Sequence, residues 1–202
     1  MIHTIDFMID WRCFKIGDRI EFRPGVNLLV GDQGCGKSSL IRAIYTVGAS
    51  KKDFGQDKKL RDGIRFEATP CKFYKFDFEK DNPRTLSYFG DNIQSQLASM
   101  WRSHGECTRA LLNCLDVAAE CLLLVDEPDT ALSIRSCNQL VRVFKGLEGR
   151  GGQIIASVHN PTVIQQFETV YSLEHRKWMT STEFIETQSD PAEFIPIKPQ
   201  SK

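Results

Sequence analysis

The segment Gly31-Asp32-Gln33-Gly34-Cys35-Gly36-Lys37-Ser38 fits the pattern GxxxxGK[ST] of a phosphate-binding P-loop. It follows an apolar run at Val26–Val30 and precedes a helical pattern at residues 39–47. Glycines let the backbone wrap closely around a phosphate, so that successive N–H groups and the start of the next helix face the anion. A strand, this loop and a helix, in that order, predict a nucleotide site.

Two side chains of the segment have separate tasks. Lys37 supplies a compact positive charge to the β- and γ-phosphates, and the Ser38 hydroxyl is a hard ligand for Mg²⁺. The alternative, a glycine-rich turn that merely joins a strand to a helix, is disfavoured by the context of the motif. The loop alone does not say which NTPase this is.

The rest of the chain alternates strand and helix patterns, which predicts an α/β fold with a doubly wound, mainly parallel sheet. Residues 2–30 read as strands and hairpins, an N-terminal antiparallel β subdomain. Further strands are expected at 64–68, 71–78, 122–125 and 154–158, with a hairpin from 170–173 and 178–180. Helices are expected at 106–120, 134–147 and 162–167. We predict one domain at 1–187 and an extended or disordered tail at 188–202.

Bulk composition limits the classes of function. The 202 residues fit one domain, and 26 basic residues balance 26 acidic ones, so no global basic field attracts nucleic acid. A local DNA-binding patch stays open, but residues 50–65 are interpreted as an exposed loop and the aromatic strand 71–78 as core. No apolar run reaches the roughly 18 residues of a membrane span, so we expect a soluble, cytoplasmic chain without membrane insertion.

The seven cysteines form no CxxC pair and no Cys/His cluster at zinc spacing. We therefore expect free thiols in a reducing compartment. Cys107, Cys114 and Cys121 recur every seven residues, but small buried side chains explain that spacing better than a redox or metal site does.

A second apolar run ends in two carboxylates, in Leu122-Leu123-Leu124-Val125-Asp126-Glu127-Pro128. A continuous apolar run is expected of a central parallel strand. Such a strand carries Asp126 to the P-loop, where its carboxylate can hold Mg²⁺ directly or through water. Glu127 is then placed to polarise an attacking water. This is a Walker B arrangement.

A third apolar run, residues 154–158, ends in His159. A lone histidine is more often structural than catalytic, but the position of this one reverses that interpretation. A strand beside the Walker B strand directs the His159 imidazole to the γ-phosphate, where it can hydrogen-bond the phosphate and the attacking water.

The polar segment Arg102-Ser103-His104-Gly105-Glu106 precedes a predicted helix. A hydroxyl, a glycine and a helix N-terminus form an anion-binding end. Because the P-loop already has its own helix N-terminus, we expect Ser103 and Gly105 to cap a nucleotide held by a second subunit. The alternative is an N-cap by Ser103 with Glu106 completing a capping box, and both roles are compatible.

With these motifs in this order, the chain resembles the ATP-binding-cassette (ABC) ATPases over about residues 2–175. The resemblance implies ATP and Mg²⁺ as cofactors and a head-to-tail homodimer that encloses two ATP molecules. It implies a Walker A motif at 31–39, a degenerate LSGGQ signature at Ser103, Gly105 and Glu106, and a D-loop at 130–133. Glu127 is then the catalytic glutamate and His159 the switch histidine.

The site residues expected from the sequence fall into three groups. The nucleotide contacts are Gly31, Asp32, Gln33, Gly34, Cys35, Gly36, Lys37, Ser38, Ser39, Ser103 and Gly105. The metal ligands are Ser38 and Asp126. The catalytic groups are Glu127, His159 and Lys37.

Several positions depart from the family pattern. The signature reads Ser-His-Gly-Glu, and the D-loop ends in Ser133 where aspartate is usual. The short segment before the signature predicts a reduced helical lobe at about 80–105. The N-terminal run at residues 9–31 resembles the RecF and chromosome-maintenance branch of the class, without its coiled coil. Trp11 could stack on adenine, although a core role is favoured.

The leading interpretation is a soluble, standalone ABC-type ATPase that drives a mechanical or regulatory step, with DNA repair and defence among the open processes. One alternative is the nucleotide-binding subunit of a transporter. Another is a low-turnover switch that binds DNA or a second protein in response to ATP. A small-molecule kinase is disfavoured, because it explains neither residues 102–106 nor His159.

Overall fold

The computed structural model describes residues 1–48, 58–77, 120–130 and 132–189. In chain order the elements are β1 (Ile2–Phe7), β2 (Arg19–Glu21), β3 (Val26–Val30), α1 (Lys37–Gly48), α2 (Lys58–Asp62), β4 (Ile64–Ala68), β5 (Lys72–Asp77), β6 (Cys121–Asp126), α3 (Ile134–Glu148), β7 (Gln153–Ser157), α4 (Pro161–Ile164), β8 (Thr169–Ser172), β9 (Lys177–Thr180) and α5 (Ser181–Ser189).

The central sheet has the strand order β5-β6-β7-β3-β8-β9. All neighbouring strands are parallel except the edge strand β9, which pairs antiparallel to β8. Parallel neighbours bring the carboxyl ends of β3, β6 and β7 to one edge of the sheet. The predicted hairpin of β8 and β9 and the mainly parallel sheet are both confirmed.

Both faces of this sheet are covered, as the continuous apolar strands require. On one face, Leu123 and Val125 of β6 pack with the apolar side of α3, including Leu140 and Phe144. On the other face, Leu122 and Leu124 lie in the cluster that contains residues of α1 and of β1. The alternation of β6 side chains between the two clusters confirms the doubly wound α/β fold.

A second, three-stranded sheet has the order β2-β1-β4 and is antiparallel. The buried amide of Gln153, at the start of β7, connects this sheet to the central sheet. The amide oxygen accepts from the Ile2 N–H at 2.7 Å, and the amide nitrogen donates to the carbonyls of Ile2 at 2.7 Å and Arg23 at 3.0 Å. The predicted N-terminal antiparallel β subdomain is confirmed.

Two helices were not expected from the sequence. α2 lies within the segment 50–65 that we interpreted as a loop, and its Leu60 is buried in the core. α5 ends at Ser189 and so crosses the expected boundary at 187. Its start is fixed by a capping box, because the Glu183 carboxylate accepts from the Thr180 N–H at 2.7 Å and the Thr180 hydroxyl accepts from the Glu183 N–H at 3.1 Å.

Some expected features lie outside the described residues: the reduced helical lobe at 80–105, most of the helix at 106–120 and most of the tail. Within the described parts, Cys13, Cys35, Cys71, Cys121 and Cys137 are free thiols, as predicted. Burial raises the pKa of Cys13, Cys121 and Cys137, which keeps them as protonated small apolar groups. No described helix combines the length and the apolar character needed to cross a membrane.

Candidate active site

The P-loop, residues 31–38, joins β3 to α1 with three glycines in the left-handed region of backbone conformation. Gly31 has φ +135°, Gly34 φ +87° and Gly36 φ +109°. Gly36 is also closely packed, because a Cβ at this position would lie 2.1 Å from the Cys13 sulfur. The loop conformation therefore requires glycine at Gly36 for two reasons, backbone conformation and space.

Lys37 holds this loop together from inside. Its side chain is buried, and the ammonium donates to the carbonyls of Gly31 at 2.7 Å and Asp32 at 2.9 Å. These carbonyls lie at the start of the loop and Lys37 at its end, so the ammonium connects the two ends of the loop. α1 begins at Lys37 and carries no acidic residue in its first turn, which suits an anion at the helix N-terminus.

The other half of the site is formed where β6 and β7 end. We call residues 126–129 and 157–159 together the carboxylate edge. The parallel register pairs Val125 with Ala156, so Asp126 and Ser157 follow side by side. The Ser38 hydroxyl donates to Asp126 Oδ1 at 3.1 Å, which joins the P-loop to the carboxylate edge.

This junction fits a magnesium ion. Mg²⁺ prefers hard oxygen ligands and keeps several waters, so one hydroxyl and one carboxylate beside a triphosphate are sufficient. Ser38 and Asp126 supply these two donors within hydrogen-bond distance of each other. Among the residues that the structure describes, no group of three or more His, Cys, Asp and Glu side chains is arranged to hold a metal ion by itself.

Ser157 connects the two carboxylates of the edge. Its hydroxyl donates to Asp126 Oδ1 at 2.6 Å and accepts from the Glu127 N–H at 2.8 Å. Glu127 has φ +49°, a left-handed conformation that is uncommon for a residue with a side chain. We did not single out Ser157 from the sequence, because its partners are 30 residues or more away along the chain.

Glu127 and His159 lie in contact at the carboxylate edge. The His159 Nε2 lies 3.1 Å from Glu127 Oε1, and both side chains are a little over one-third exposed, 39% and 38%. Because a carboxylate only accepts, the His159 Nε2 carries the hydrogen in this contact. The catalytic roles of both residues stay predictions.

Asp129 holds the histidine segment in place and was also not anticipated. This carboxylate is only 3% exposed, and its Oδ2 accepts from the backbone N–H groups of His159 at 2.7 Å and Asn160 at 2.5 Å. Asp129 Oδ1 is buried and has no hydrogen-bond partner among the described residues. The turn after β6 is thereby tied to the turn after β7.

The segment around Trp11 packs beside the P-loop. The Trp11 ring is half-buried and stacks on Phe14 with centroids 6.3 Å apart, and Phe14 stacks on Phe7 at 4.3 Å. The Arg12 guanidinium lies 5.1 Å from the centroid of the Trp11 ring and donates to the Ser39 hydroxyl at 2.9 Å. Trp11 is thus the outer ring of a core stack, and its adenine role stays a prediction.

A cavity of about 290 Å³ adjoins the site. Its wall includes the first residues of the P-loop, His159 and apolar side chains of α4 and α5, among them Ile164 and Phe184. Of the remaining predicted site residues, Ser103, Gly105 and Glu106 lie outside the described residues, as does Ala131 of the D-loop.

A P-loop, a Walker B strand end and a histidine at the next strand end, all at one edge of a parallel sheet, define a P-loop ATPase of the ABC type. The chain belongs to the AAA_23 family, described as AAA domain, whose model matches residues 8–185. The resemblance drawn from the sequence motifs is therefore confirmed.

Two curated relatives carry the name macrolide export ATP-binding/permease protein MacB. The one from Psychrobacter cryohalolentis is 27% identical and the one from Psychrobacter arcticus 28% identical, each over 166 residues. Each match covers 78% of this chain and 23% of the relative. The chain thus spans about a quarter of the length of these relatives.

Among solved structures, cbiO1 from Clostridium perfringens, part of the ABC transporter complex cbiONQ, is similar to this chain. The TM-score is 0.56 at 14% sequence identity, and the match covers 93% of this chain and 92% of that one. At this identity the similarity shows the fold alone. It confirms the predicted ABC ATPase head.

Proposed function

We propose that this chain hydrolyses ATP to ADP and phosphate, with Mg²⁺, in a dimer that encloses two nucleotides. The observation that carries the proposal is a continuous series of hydrogen bonds from Ser38 through Asp126, Ser157 and Glu127 to His159. This series links the end of the P-loop to the glutamate and the histidine expected at the γ-phosphate. A strand end without a catalytic role would not require these polar groups to be hydrogen-bonded to one another in series.

Binding would begin at the P-loop. The backbone N–H groups and the start of α1 receive the phosphates, and Lys37 exchanges its bonds to the Gly31 and Asp32 carbonyls for phosphate oxygens. Ser38 and Asp126 would hold Mg²⁺, which when bound supplies positive charge to the β- and γ-phosphates. Cleavage of the γ-phosphate then needs a positioned water.

Glu127 is the proposed base. Its carboxylate accepts a proton from the attacking water as the water oxygen bonds to the γ-phosphorus. The bond between the γ-phosphorus and the bridging oxygen breaks, and ADP and phosphate are the products. The His159 Nε2–H, which here donates to Glu127, would turn its hydrogen bond to the γ-phosphate and steady the developing charge. The partial exposure of both side chains leaves room for this change.

Dimerisation would complete each site, with Ser103 and Gly105 of one copy over the P-loop of the other. Two observations support a partner subunit. Ile134, directly after the expected D-loop, is an apolar side chain that is 69% exposed. A cavity of about 290 Å³ borders the first residues of the P-loop and His159. A cytoplasmic location and a regulatory or mechanical output, with DNA or a second protein as partner, belong to the same proposal.

The test uses Glu127→Gln, which keeps the shape and removes the base. We expect ATP turnover to fall about a thousandfold, because general bases contribute roughly 10²–10⁴ in rate. We also expect ATP and Mg²⁺ to hold the variant as a dimer in light scattering. The matched control is Glu186→Gln on the exposed face of α5. A Glu127→Gln chain that binds ATP but stays monomeric contradicts the dimer model.

The second candidate is the nucleotide-binding part of a transporter. The names of the MacB relatives and of the cbiONQ complex favour it. It predicts that the chain purifies from membranes with a permease, and that ATPase activity depends on that partner. Steady-state ATP turnover, measured with and without DNA, separates the standalone ATPase and the transporter subunit from the low-turnover switch. The switch would show little hydrolysis but would bind DNA or a partner protein when ATP is present.

A further inference from the structure

Ser157 is a buried hydroxyl whose two hydrogen bonds both belong to the carboxylate edge. It lies at the end of β7 between Ala156 and Val158, and its side chain is fully buried. An unpaired hydroxyl in such a place is unfavourable, so its partners determine what the residue does. Those partners are the carboxylate of Asp126 and the backbone of Glu127.

The direction of each bond is fixed by chemistry. An ionised carboxylate only accepts, so the Ser157 hydroxyl hydrogen is committed to Asp126 Oδ1 at 2.6 Å. The same Oδ1 receives the Ser38 hydroxyl at 3.1 Å. Two O–H donors, one from the P-loop and one from β7, therefore orient the Asp126 carboxylate. Hydrogen-bond donors to a metal-ligating carboxylate commonly fix its orientation.

The bond to Glu127 has a different effect. Glu127 at φ +49° is in a region that a residue with a Cβ adopts only when its surroundings hold it there. The Ser157 oxygen accepts the Glu127 N–H at 2.8 Å from the neighbouring strand. Within the described residues, the Glu127 carbonyl accepts a longer bond, from the Thr130 N–H at 3.3 Å. Ser157 thus holds the peptide from which the Glu127 side chain extends.

We propose that Ser157 is a positioning residue that sets both carboxylates of the site at once, Asp126 for the metal and Glu127 for the water. The inference rests on the proposed ATPase function. In this inference, one atom, the Ser157 hydroxyl oxygen, positions both the Asp126 carboxylate and the Glu127 backbone. Removing that oxygen should change metal dependence and turnover together, while nucleotide binding by the P-loop continues.

The first arm of the test compares Ser157→Ala with Ser172→Ala. Ser172 is also a fully buried serine at the end of a parallel strand, but its hydroxyl contacts His175 instead of the carboxylates. We expect kcat of Ser157→Ala to fall about tenfold with little change in KM, as is typical when a group that orients a metal ligand is removed. In a Glu127→Gln background at saturating Mg²⁺, the same substitution should lower kcat by much less than tenfold, because its effect through Glu127 is already lost. A purely structural defect would lower kcat by the same factor in both backgrounds.

The second arm does not depend on hydrolysis. The affinity for a fluorescent ADP analogue is measured with Mg²⁺ and in EDTA for the wild type, Ser157→Ala and Ser172→Ala. The gain in affinity caused by Mg²⁺ should fall about tenfold in Ser157→Ala and stay unchanged in Ser172→Ala. Affinity in EDTA should be equal in all chains, which also reports an intact P-loop. Ser157→Cys, with a weaker donor and acceptor, should be intermediate and serves if the alanine variant does not fold.

The outcomes separate this inference from the proposed function. A Ser157→Ala chain with wild-type kcat and a wild-type Mg²⁺ gain overturns the positioning role. A wild-type chain that binds Mg²⁺ and ADP without hydrolysing ATP overturns the proposed function, and the Mg²⁺ gain of the variants then decides on Ser157. A loss of EDTA affinity in Ser157→Ala and Ser157→Cys alike also overturns the inference, because it shows a structural role.

Discussion

The P-loop and the carboxylate edge meet at the hydrogen bond between Ser38 and Asp126, yet different parts of the chain determine their shapes. The P-loop is one continuous segment, and its shape comes from glycines at positive φ and from a lysine that bonds to main-chain carbonyls. The carboxylate edge combines two strand ends, and its shape comes from side chains that hold other side chains.

The difference has a functional consequence. A loop made of main chain binds whatever phosphate fits it, and its tolerance to substitution is set by space and backbone conformation. In the carboxylate edge, side-chain contacts orient individual carboxylate and imidazole groups. Substitutions there should therefore alter turnover and metal dependence more than nucleotide affinity. Four measurements test this contrast, beginning with the largest expected effect.

Lys37→Ala should abolish most nucleotide binding. The substitution removes the charge that faces the phosphates, and we expect the Kd for ADP in EDTA to rise about 100-fold, typical of a lost charge-assisted contact. Fluorescence titration measures it. Lys15→Ala, at an exposed lysine on the N-terminal sheet side, is the control and should bind as the wild type does. An unchanged Kd in Lys37→Ala would show that the P-loop does not determine nucleotide affinity, which contradicts the contrast between the two regions.

Gly36→Ala tests whether the loop depends on space or on backbone conformation. A Cβ here collides with the Cys13 sulfur, and φ +109° is unfavourable besides, so we expect a loss of about 1–3 kcal/mol in unfolding free energy. Adding Cys13→Ala should restore only part of it, because the backbone cost persists. Gly146→Ala, with open space around its Cβ, should instead stabilise α3 by about 1 kcal/mol. Urea unfolding measures all three.

Asp129→Ala tests the opposite side of the contrast. It deprives the His159 and Asn160 N–H groups of their acceptor, and we expect kcat to fall about tenfold while ADP affinity stays close to wild type. Asp129→Asn keeps an acceptor oxygen and should retain most activity. In a His159→Ala background, Asp129→Ala should cost no further turnover. An equal loss in both backgrounds would show that Asp129 acts on stability alone.

The smallest effect is expected from Glu183→Gln, outside both regions. The Thr180 N–H donates to the Glu183 carboxylate and holds its pKa below the usual range. A lowered folded-state pKa contributes stability at neutral pH and loses it as the pH falls through that pKa. At pH 7 the unfolding midpoint of the variant should therefore lie at a slightly lower urea concentration than that of the wild type. Near pH 3 the two midpoints should be the same. ATP turnover should not change.

The sequence predicted the parts of the site that local patterns encode. Spacing alone marks Lys37 and Ser38, and apolar runs that end in polar residues mark Asp126, Glu127 and His159. The parallel sheet follows from the same runs. The capping box at Thr180 and Glu183 is also a local pattern, so α5 could have been predicted from it.

Ser157 and Asp129 could not be found this way. Their roles depend on the register of β6 against β7, which pairs Val125 with Ala156 and so places Asp126 beside Ser157. A shift by one residue would turn every side chain of the strand to the other face, and nothing near either residue in the sequence specifies that register. α2 was not predicted because its burial also depends on tertiary contacts. One buried leucine, Leu60, packs this otherwise charged segment against the core.

The position of β3 in the central sheet has a consequence for how the chain folds as it is synthesised. β3 carries the P-loop, but its two neighbours, β7 and β8, both lie in the last quarter of the 202-residue chain. Pairings this distant in sequence form slowly, because the loop between them must close first. The P-loop segment therefore leaves the ribosome early and acquires its flanking strands late. Nucleotide binding should become available only once β8 has also left the ribosome and paired with β3.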